Sequence, residues 1–205
     1  MPSKFDVVRR CWPERGIFQG AATAYARFSQ QPQRQWIYLE KPLWQYVLSF
    51  FPRTTRMLDF GAGIGKLTWV ALSTHQIPRR ITCFEPNPIL QNELQKSLPP
   101  VRAVRRSNRT LSQSFWANDK FSLIGANMVI NHLNEGQFDE FVTQSKRMLT
   151  NTGTLIFTIP HPVSEAHELN IPLDVDETRR ETPAPWGGFT EYFHRSPSRL
   201  VPAVS

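Results

Sequence analysis

Met57-Leu58-Asp59-Phe60-Gly61-Ala62-Gly63-Ile64-Gly65 is an apolar run that enters a turn with glycine at every second position. Glu85 closes a second strand-like run, Arg80-Ile81-Thr82-Cys83-Phe84-Glu85, 24 residues after Gly61. This spacing reads as the first β-α-β unit of a nucleotide-binding sheet. Glycine lets backbone N–H groups approach a ligand closely, and a carboxylate at the end of the second strand can accept both hydroxyls of a ribose. The details discriminate among nucleotides. A phosphate-binding loop needs G-x-x-x-x-G-K-[ST]. Gly65-Lys66 supplies the GK pair, but Phe60 stands where the first glycine belongs and Leu67 where the hydroxyl belongs. A dinucleotide fingerprint is G-x-G-x-x-G, whereas the third glycine here arrives one residue early. Asp59, two positions before the first glycine, would repel a pyrophosphate by about 1 kcal/mol or more at contact distance even in high dielectric. The same carboxylate would attract a cationic amino-acid tail.

Asp59 therefore favours S-adenosylmethionine, which carries an ammonium and a sulfonium and no phosphate. At this point the chain resembles the class I S-adenosylmethionine-dependent methyltransferases, especially the small-molecule branch that includes quinone-biosynthesis methyltransferases. The residues that carry the resemblance are Leu58 to Gly65, then Phe84-Glu85-Pro86-Asn87, then Phe121 to Leu133 as a fourth strand and its turn. Arg147 to Phe157 completes it as a helix end, turn and fifth strand. The resemblance covers residues 36–162. It implies that backbone groups of Gly61, Ala62 and Gly63 approach the methionine part, with Asp59 near its ammonium. It further implies that Glu85 accepts the ribose hydroxyls and Pro86 lies beside the adenine. Ser107, Asn108 and Arg109 would meet the adenine amino edge, and Asn127 would line the methionine end. No residue is expected to hold a metal.

At 205 residues with net charge +7, the chain is long enough for one domain with a sizeable core. No apolar run approaches the length of a membrane span and no signal-peptide pattern follows the start. Cys11 and Cys83 match neither a metal spacing nor a disulfide framework. These features point to a cytoplasmic protein. The positive charge is concentrated in the front half, which suits either a solvated surface or an anionic partner such as nucleic acid.

Residues 1–35 read as a polar N-terminal arm or lid and 36–162 as the cofactor-binding domain. From Lys41, an amphipathic helix runs to Pro52 with Leu43, Trp44, Val47, Leu48 and Phe51 on its apolar face. Strands are expected near 55–60, 80–85, 101–106, 121–127 and 154–159, separated by helices that start after Gly65, Asn87 and Asn134. Asn151-Thr152-Gly153 reads as a turn. Strands alternating with helices, with the strands nearly continuously apolar, give an α/β fold: a doubly wound, mostly parallel sheet with helices on both faces. Residues 163–205 read as an irregular, Pro-rich segment with one strand-like stretch, Gly188 to His194. The resemblance implies two further antiparallel strands that finish the sheet. The expectation here is that they are missing, through truncation or a shifted reading frame, which would expose a sheet edge to self-association as a homo-oligomer.

Methyl transfer from a sulfonium is an in-line displacement, so most functional residues should be binders that position two reactants away from water. His132, after the fourth strand at the edge where α/β sheets bind ligands, is the candidate general base for a hydroxyl acceptor. His161 and Tyr38 are secondary candidates, for the acceptor side and for closure over the cofactor. The leading reading is methylation of a small molecule at O, N or C. The alternatives are RNA methylation, suggested by the basic front half, and a truncated cofactor-binding protein without catalysis. The absence of [DN]-P-P-[YF] after the fourth strand, where Asn127-Met128-Val129-Ile130 stands, argues by analogy against methylation of base amino groups.

Overall fold

Residues 22–52, 54–75, 81–98, 104–107, 119–170, 172–174, 178–185 and 189–200 are described by a computed structural model of the protein. Five parallel strands form the main sheet: β1 Met57–Phe60, β2 Ile81–Phe84, β3 Val104–Ser107, β4 Phe121–Asn127 and β5 Leu149–Thr158. Their order is β3-β2-β1-β4-β5. The order reverses between β1 and β4, where Met57 pairs with Ile81 on one side and Leu123 on the other. Open α/β sheets bind ligands at such a switch point, beyond the carboxyl ends of the strands.

Strand alternation builds a core on each face of the sheet. Leu58, Phe60, Phe84, Ile124 and Ala126 point to one face and meet Phe138, Phe141 and Met148 of α5 (Glu135–Met148). There the Phe60 ring stacks on Phe84 at 5.1 Å and tilts against Phe141 at 4.5 Å. Met57, Ile81, Cys83 and Leu123 point the other way. They meet α2 (Lys41–Ser49) through Trp44 and Leu48, α3 (Lys66–His75) through Leu67, Val70 and Ala71, and α4 (Pro88–Ser97) through Leu94. The doubly wound reading therefore holds.

Local chemistry sets the helix starts. Asn87 accepts from the N–H groups of Ile89 and Leu90 at 2.9 and 3.2 Å to cap α4. Asn134 and Gln137 close a reciprocal capping box on α5, with both bonds at 2.9 Å.

The expected turn at Asn151-Thr152-Gly153 is instead part of β5. Leu149 pairs with Phe121 and Thr154 with Leu123, so the extra residues are taken up as an irregularity in the ladder. Before the sheet, α1 (Ala22–Gln30) lies within the expected polar arm and packs Ala22 and Ala26 against Ile64 and Leu90.

The segment from residue 163 is more regular than its composition suggests. It holds most of α6 (Pro162–Leu169), an antiparallel hairpin of β6 (Thr178–Pro183) and β7 (Phe189–His194), and α7 (Pro197–Leu200). The two hairpin strands pair with each other and form a sheet separate from the main one. Their partner is the loop after β4. The buried Arg195 donates to the carbonyls of Ile130, at 2.9 Å, and Leu133, and its guanidinium lies 4.4 Å from the Phe138 ring. Arg199 joins Glu135 and Asp139. β6 carries charge at three of its six positions (Thr178-Arg179-Arg180-Glu181-Thr182-Pro183), which hides it from an apolar-alternation reading.

Two glycines of the turn after β1 differ in what crowds them. Gly61 has φ +67°, and a Cβ there would lie 2.5 and 2.8 Å from the two γ-carbons of Val129. Gly63 has φ +55°, but its nearest obstruction is the Tyr25 hydroxyl at 3.8 Å. Gly61→Ala is therefore expected to lose about 2–3 kcal/mol from left-handed strain plus overpacking. Gly63→Ala should lose only the strain, about 1 kcal/mol. Thermal unfolding of the two variants separates the cases, and equal melting temperatures would contradict this assignment.

Candidate active site

A cavity of about 540 Å³ opens at the carboxyl ends of β1, β2 and β4. This volume is in the usual range for a small-molecule site. Its floor is Phe60, Gly61, Gly63, Phe84, Glu85 and Pro86, and Tyr25 and Ser29 of α1 form part of its cover. Asn131, His132 and Leu133 after β4, with Tyr192 of β7, form another wall.

Glu85 is the most constrained polar group in the floor. Its Oε2 accepts from the Gly63 N–H at 2.8 Å and its Oε1 from the Asn87 N–H at 2.8 Å. The side chain is thereby locked across the glycine turn and the start of α4, while each oxygen keeps a further lone pair. Burial pushes its carboxyl up to about 7; the two backbone donors oppose that rise, and the charge of Asp59 adds to it.

Asp59 lies apart from the cavity lining. It is buried and does not line the cavity; its Oδ2 accepts from both the N–H (3.1 Å) and the hydroxyl (2.6 Å) of Thr68. The period of the strand puts Asp59 on the same face as Met57, beneath the start of α3. There it serves the N-terminal donors of a helix preceded by glycine. Its carboxylate supplies negative charge where that helix end would otherwise favour a phosphate. Burial raises the Asp59 carboxyl to about 6, against the lowering effect of the two Thr68 bonds.

Asn127 lines the cavity at the end of β4 and is held by three neighbours. Its Oδ1 accepts from Trp44 Nε1 at 2.7 Å and Thr158 Oγ1 at 2.8 Å, and its Nδ2 donates to Glu40 Oε2 at 2.7 Å. An indole N–H only donates, so this set of partners decides which way the amide faces. His132 lines the cavity with its ring 4.9 Å from Tyr192. Ala62 lies beneath the cavity lining, where its N–H donates to the Phe84 carbonyl at 2.9 Å and ties the turn to β2. His161 is exposed at the start of α6 and Tyr38 is 77% exposed; neither lines the cavity. Asn108 and Arg109 lie outside the described residues.

Three cavity residues escape a reading of motifs: Tyr25, Glu40 and Lys66. Burial pushes the Tyr25 hydroxyl above its ordinary value, with added effect from Glu85, Glu40 and Tyr192. Glu40 is the only acid between Glu14 and Asp59, a signal visible in the sequence without a reason to use it. Lys66 invites a phosphate-loop reading, and that reading fails on its neighbours.

A family model described as a methyltransferase domain matches residues 24–186. No curated protein matches the sequence. Among solved structures, the chain is similar to the CcbJ methyltransferase from Streptomyces caelestis at 12% identity, covering 92% of this chain and 85% of that one, with a TM-score of 0.63. It is similar to the DhpI-SAM-HEP complex at 13% identity, covering 89% and 81%, with a TM-score of 0.61. The DhpI-SAH complex gives 14% identity, 90% and 84% coverage, and a TM-score of 0.58. At such identities the likeness is one of fold.

Proposed function

The chain belongs to the methyltransferase-domain family, as an S-adenosylmethionine-dependent methyltransferase, and we propose that its acceptor is a small molecule methylated by in-line displacement. The residues present fit that cofactor. Glu85 is a buried carboxylate at the end of β2 with acceptor capacity left on both oxygens, Gly63 has nothing closer above it than the Tyr25 hydroxyl at 3.8 Å, and Pro86 also lines the cavity. The fixed Glu85 carboxylate in the floor of the cavity carries the reading. It would take the two ribose hydroxyls, with Pro86 along the adenine and Gly61 and Gly63 beneath the methionine chain. Bound there, S-adenosylmethionine supplies an electrophilic methyl on a positively charged sulfur.

The chain's own contribution is alignment, exclusion of water and removal of a proton. The α1 cover and the Tyr192 wall enclose the space above the turn. His132 stands in the wall built by the loop after β4, and we assign it as the base that takes the proton of a hydroxyl acceptor. Among the described residues, the charged side chains of the cavity lining are Arg34 and Lys66 against Glu40 and Glu85. That balance suits a compact acceptor better than a polyanion, which needs an extended positive track.

Calorimetry with S-adenosylmethionine and S-adenosylhomocysteine should show one-to-one binding of each. Incubation with S-adenosylmethionine and a panel of phenols, amines and carbon acids should give a product heavier by one methyl in mass spectrometry. Methyl incorporation confined to RNA, falling steeply with salt, would replace the small-molecule reading. Failure of both cofactor forms to bind would remove the cofactor assignment itself.

A further inference from the structure

Among the described residues, Glu40 and Lys66 are the two charged residues of the cavity lining, apart from Glu85, that lie next to the glycine turn or to Asn127, and the chemistry above leaves both unused. Glu40 arrives by an unusual route. Residues Trp36–Glu40 form a π-helical turn that runs directly into α2. Such wide turns cost regularity and are frequent at functional sites. The turn brings Glu40 to the end of β4, where Asn127 engages its Oε2 and leaves the second oxygen to a ligand. The amide doing this is itself fixed by Trp44 and Thr158, so Glu40 is held in a set position.

Lys66 stands directly after the glycine turn, at the first position of α3. One of its three ammonium protons goes to Gln33 Oε1 at 2.8 Å, and its Nζ lies 5.3 Å from the Trp36 ring. Burial lowers the Lys66 amine from its ordinary value, and Glu40 opposes that fall, so the two charges share one region of the cavity. Among the described residues no ion pair joins them. Two opposite charges held apart by separate frameworks match a ligand that carries both signs on one carbon.

We propose that Glu40 and Lys66 form the subsite for the α-amino-acid end of S-adenosylmethionine, Glu40 receiving the ammonium and Lys66 the carboxylate. This rests on the cofactor reading above and gives Glu40 the task that the sequence assigns to Asp59. Asp59 is committed to Thr68 beneath the helix, whereas Glu40 faces the cavity.

The test compares S-adenosylhomocysteine, which keeps the amino-acid end, with 5′-methylthioadenosine, which lacks it. Calorimetry on wild type, Glu40→Gln and Lys66→Met should show S-adenosylhomocysteine about tenfold or more weaker in each variant. 5′-Methylthioadenosine should bind all three proteins alike. Glu40→Asp and Lys66→Arg, which keep the charges, should recover part of the affinity and guard against a variant that folds poorly. S-adenosylmethionine should lose by the same factor as S-adenosylhomocysteine, because both carry the ammonium. Equal losses for the two ligands with and without the tail would overturn the subsite, as would a loss confined to S-adenosylmethionine. Wild type that binds neither nucleoside would instead defeat the cofactor reading on which the subsite stands.

Discussion

Glu85→Ala is expected to weaken S-adenosylhomocysteine binding about a thousandfold, while the protein stays folded. Hydrogen bonds to a charged acceptor are worth about 1.5–3 kcal/mol each, and the two ribose hydroxyls would meet two oxygens of one rigid carboxylate. The rigidity comes from the Gly63 and Asn87 N–H groups, which already hold the side chain in place at 2.8 Å each. Glu85→Gln should not rescue binding. Its amide would turn one acceptor into a donor that faces one of those two N–H groups, leaving opposed donors in a buried site. Calorimetry reads both effects, and an alanine variant that binds within threefold of wild type would show that the ribose lies elsewhere.

The same carboxyl makes binding depend on pH. Burial raises Glu85 from 4.5 to about 7. Below that value the empty site holds a proton that two incoming hydroxyl donors must displace. Affinity should therefore fall about tenfold for each pH unit below 7 and level off above it. Stability of the ligand-free protein runs the other way. A folded-state value above the unfolded one means that the fold binds the proton more tightly. That contribution is fully present below pH 4.5 and is lost as pH rises through about 7. Asp59, raised from 3.8 to about 6, adds the same trend at slightly lower pH. Thermal unfolding without ligand should show a falling melting temperature between pH 5 and pH 8, with S-adenosylhomocysteine offsetting more of the fall at the higher pH.

His132→Ala is expected to lower turnover of a hydroxyl acceptor about a hundredfold or more, the usual contribution of a positioned base, with S-adenosylhomocysteine affinity kept within twofold. A lost cavity wall could also slow turnover, so the deciding measurement is chemical rescue. Free imidazole in the assay should restore part of the rate of His132→Ala and leave wild type unchanged, because the missing side chain leaves room beside Tyr192. No rescue, together with a parallel loss of cofactor affinity, would make His132 a packing residue and leave proton removal to another group.

How much of this was legible before the structure depends on the range of each interaction. The strand-turn-strand unit from Met57 to Glu85 is local chemistry: apolar runs, glycine at alternate positions, and an acid where the second strand ends. Glu85 stands where that pattern places it, because the residues that hold it, Gly63 and Asn87, belong to the same unit. Asn127 and His132 follow the same logic at the carboxyl end of β4. The contacts of Asp59 are less local, since they turn on which face of β1 it shares and on Thr68 across the turn.

Glu40, Tyr25 and Tyr192 stand far from the glycine motif in the chain. They reach the cavity only because a π-helical turn, α1 and the terminal hairpin fold back over the sheet edge. The hairpin docks through Arg195 onto carbonyls of Ile130 and Leu133, contacts with no periodic mark in the sequence. By itself, then, the sequence determined the doubly wound sheet, the acid that closes β2 and the class of cofactor, because those follow from backbone conformation and short-range spacing. The tertiary structure alone decided which acid faces the cavity and which groups wall it, because side-chain direction and long-range docking depend on packing between elements that the chain order leaves apart.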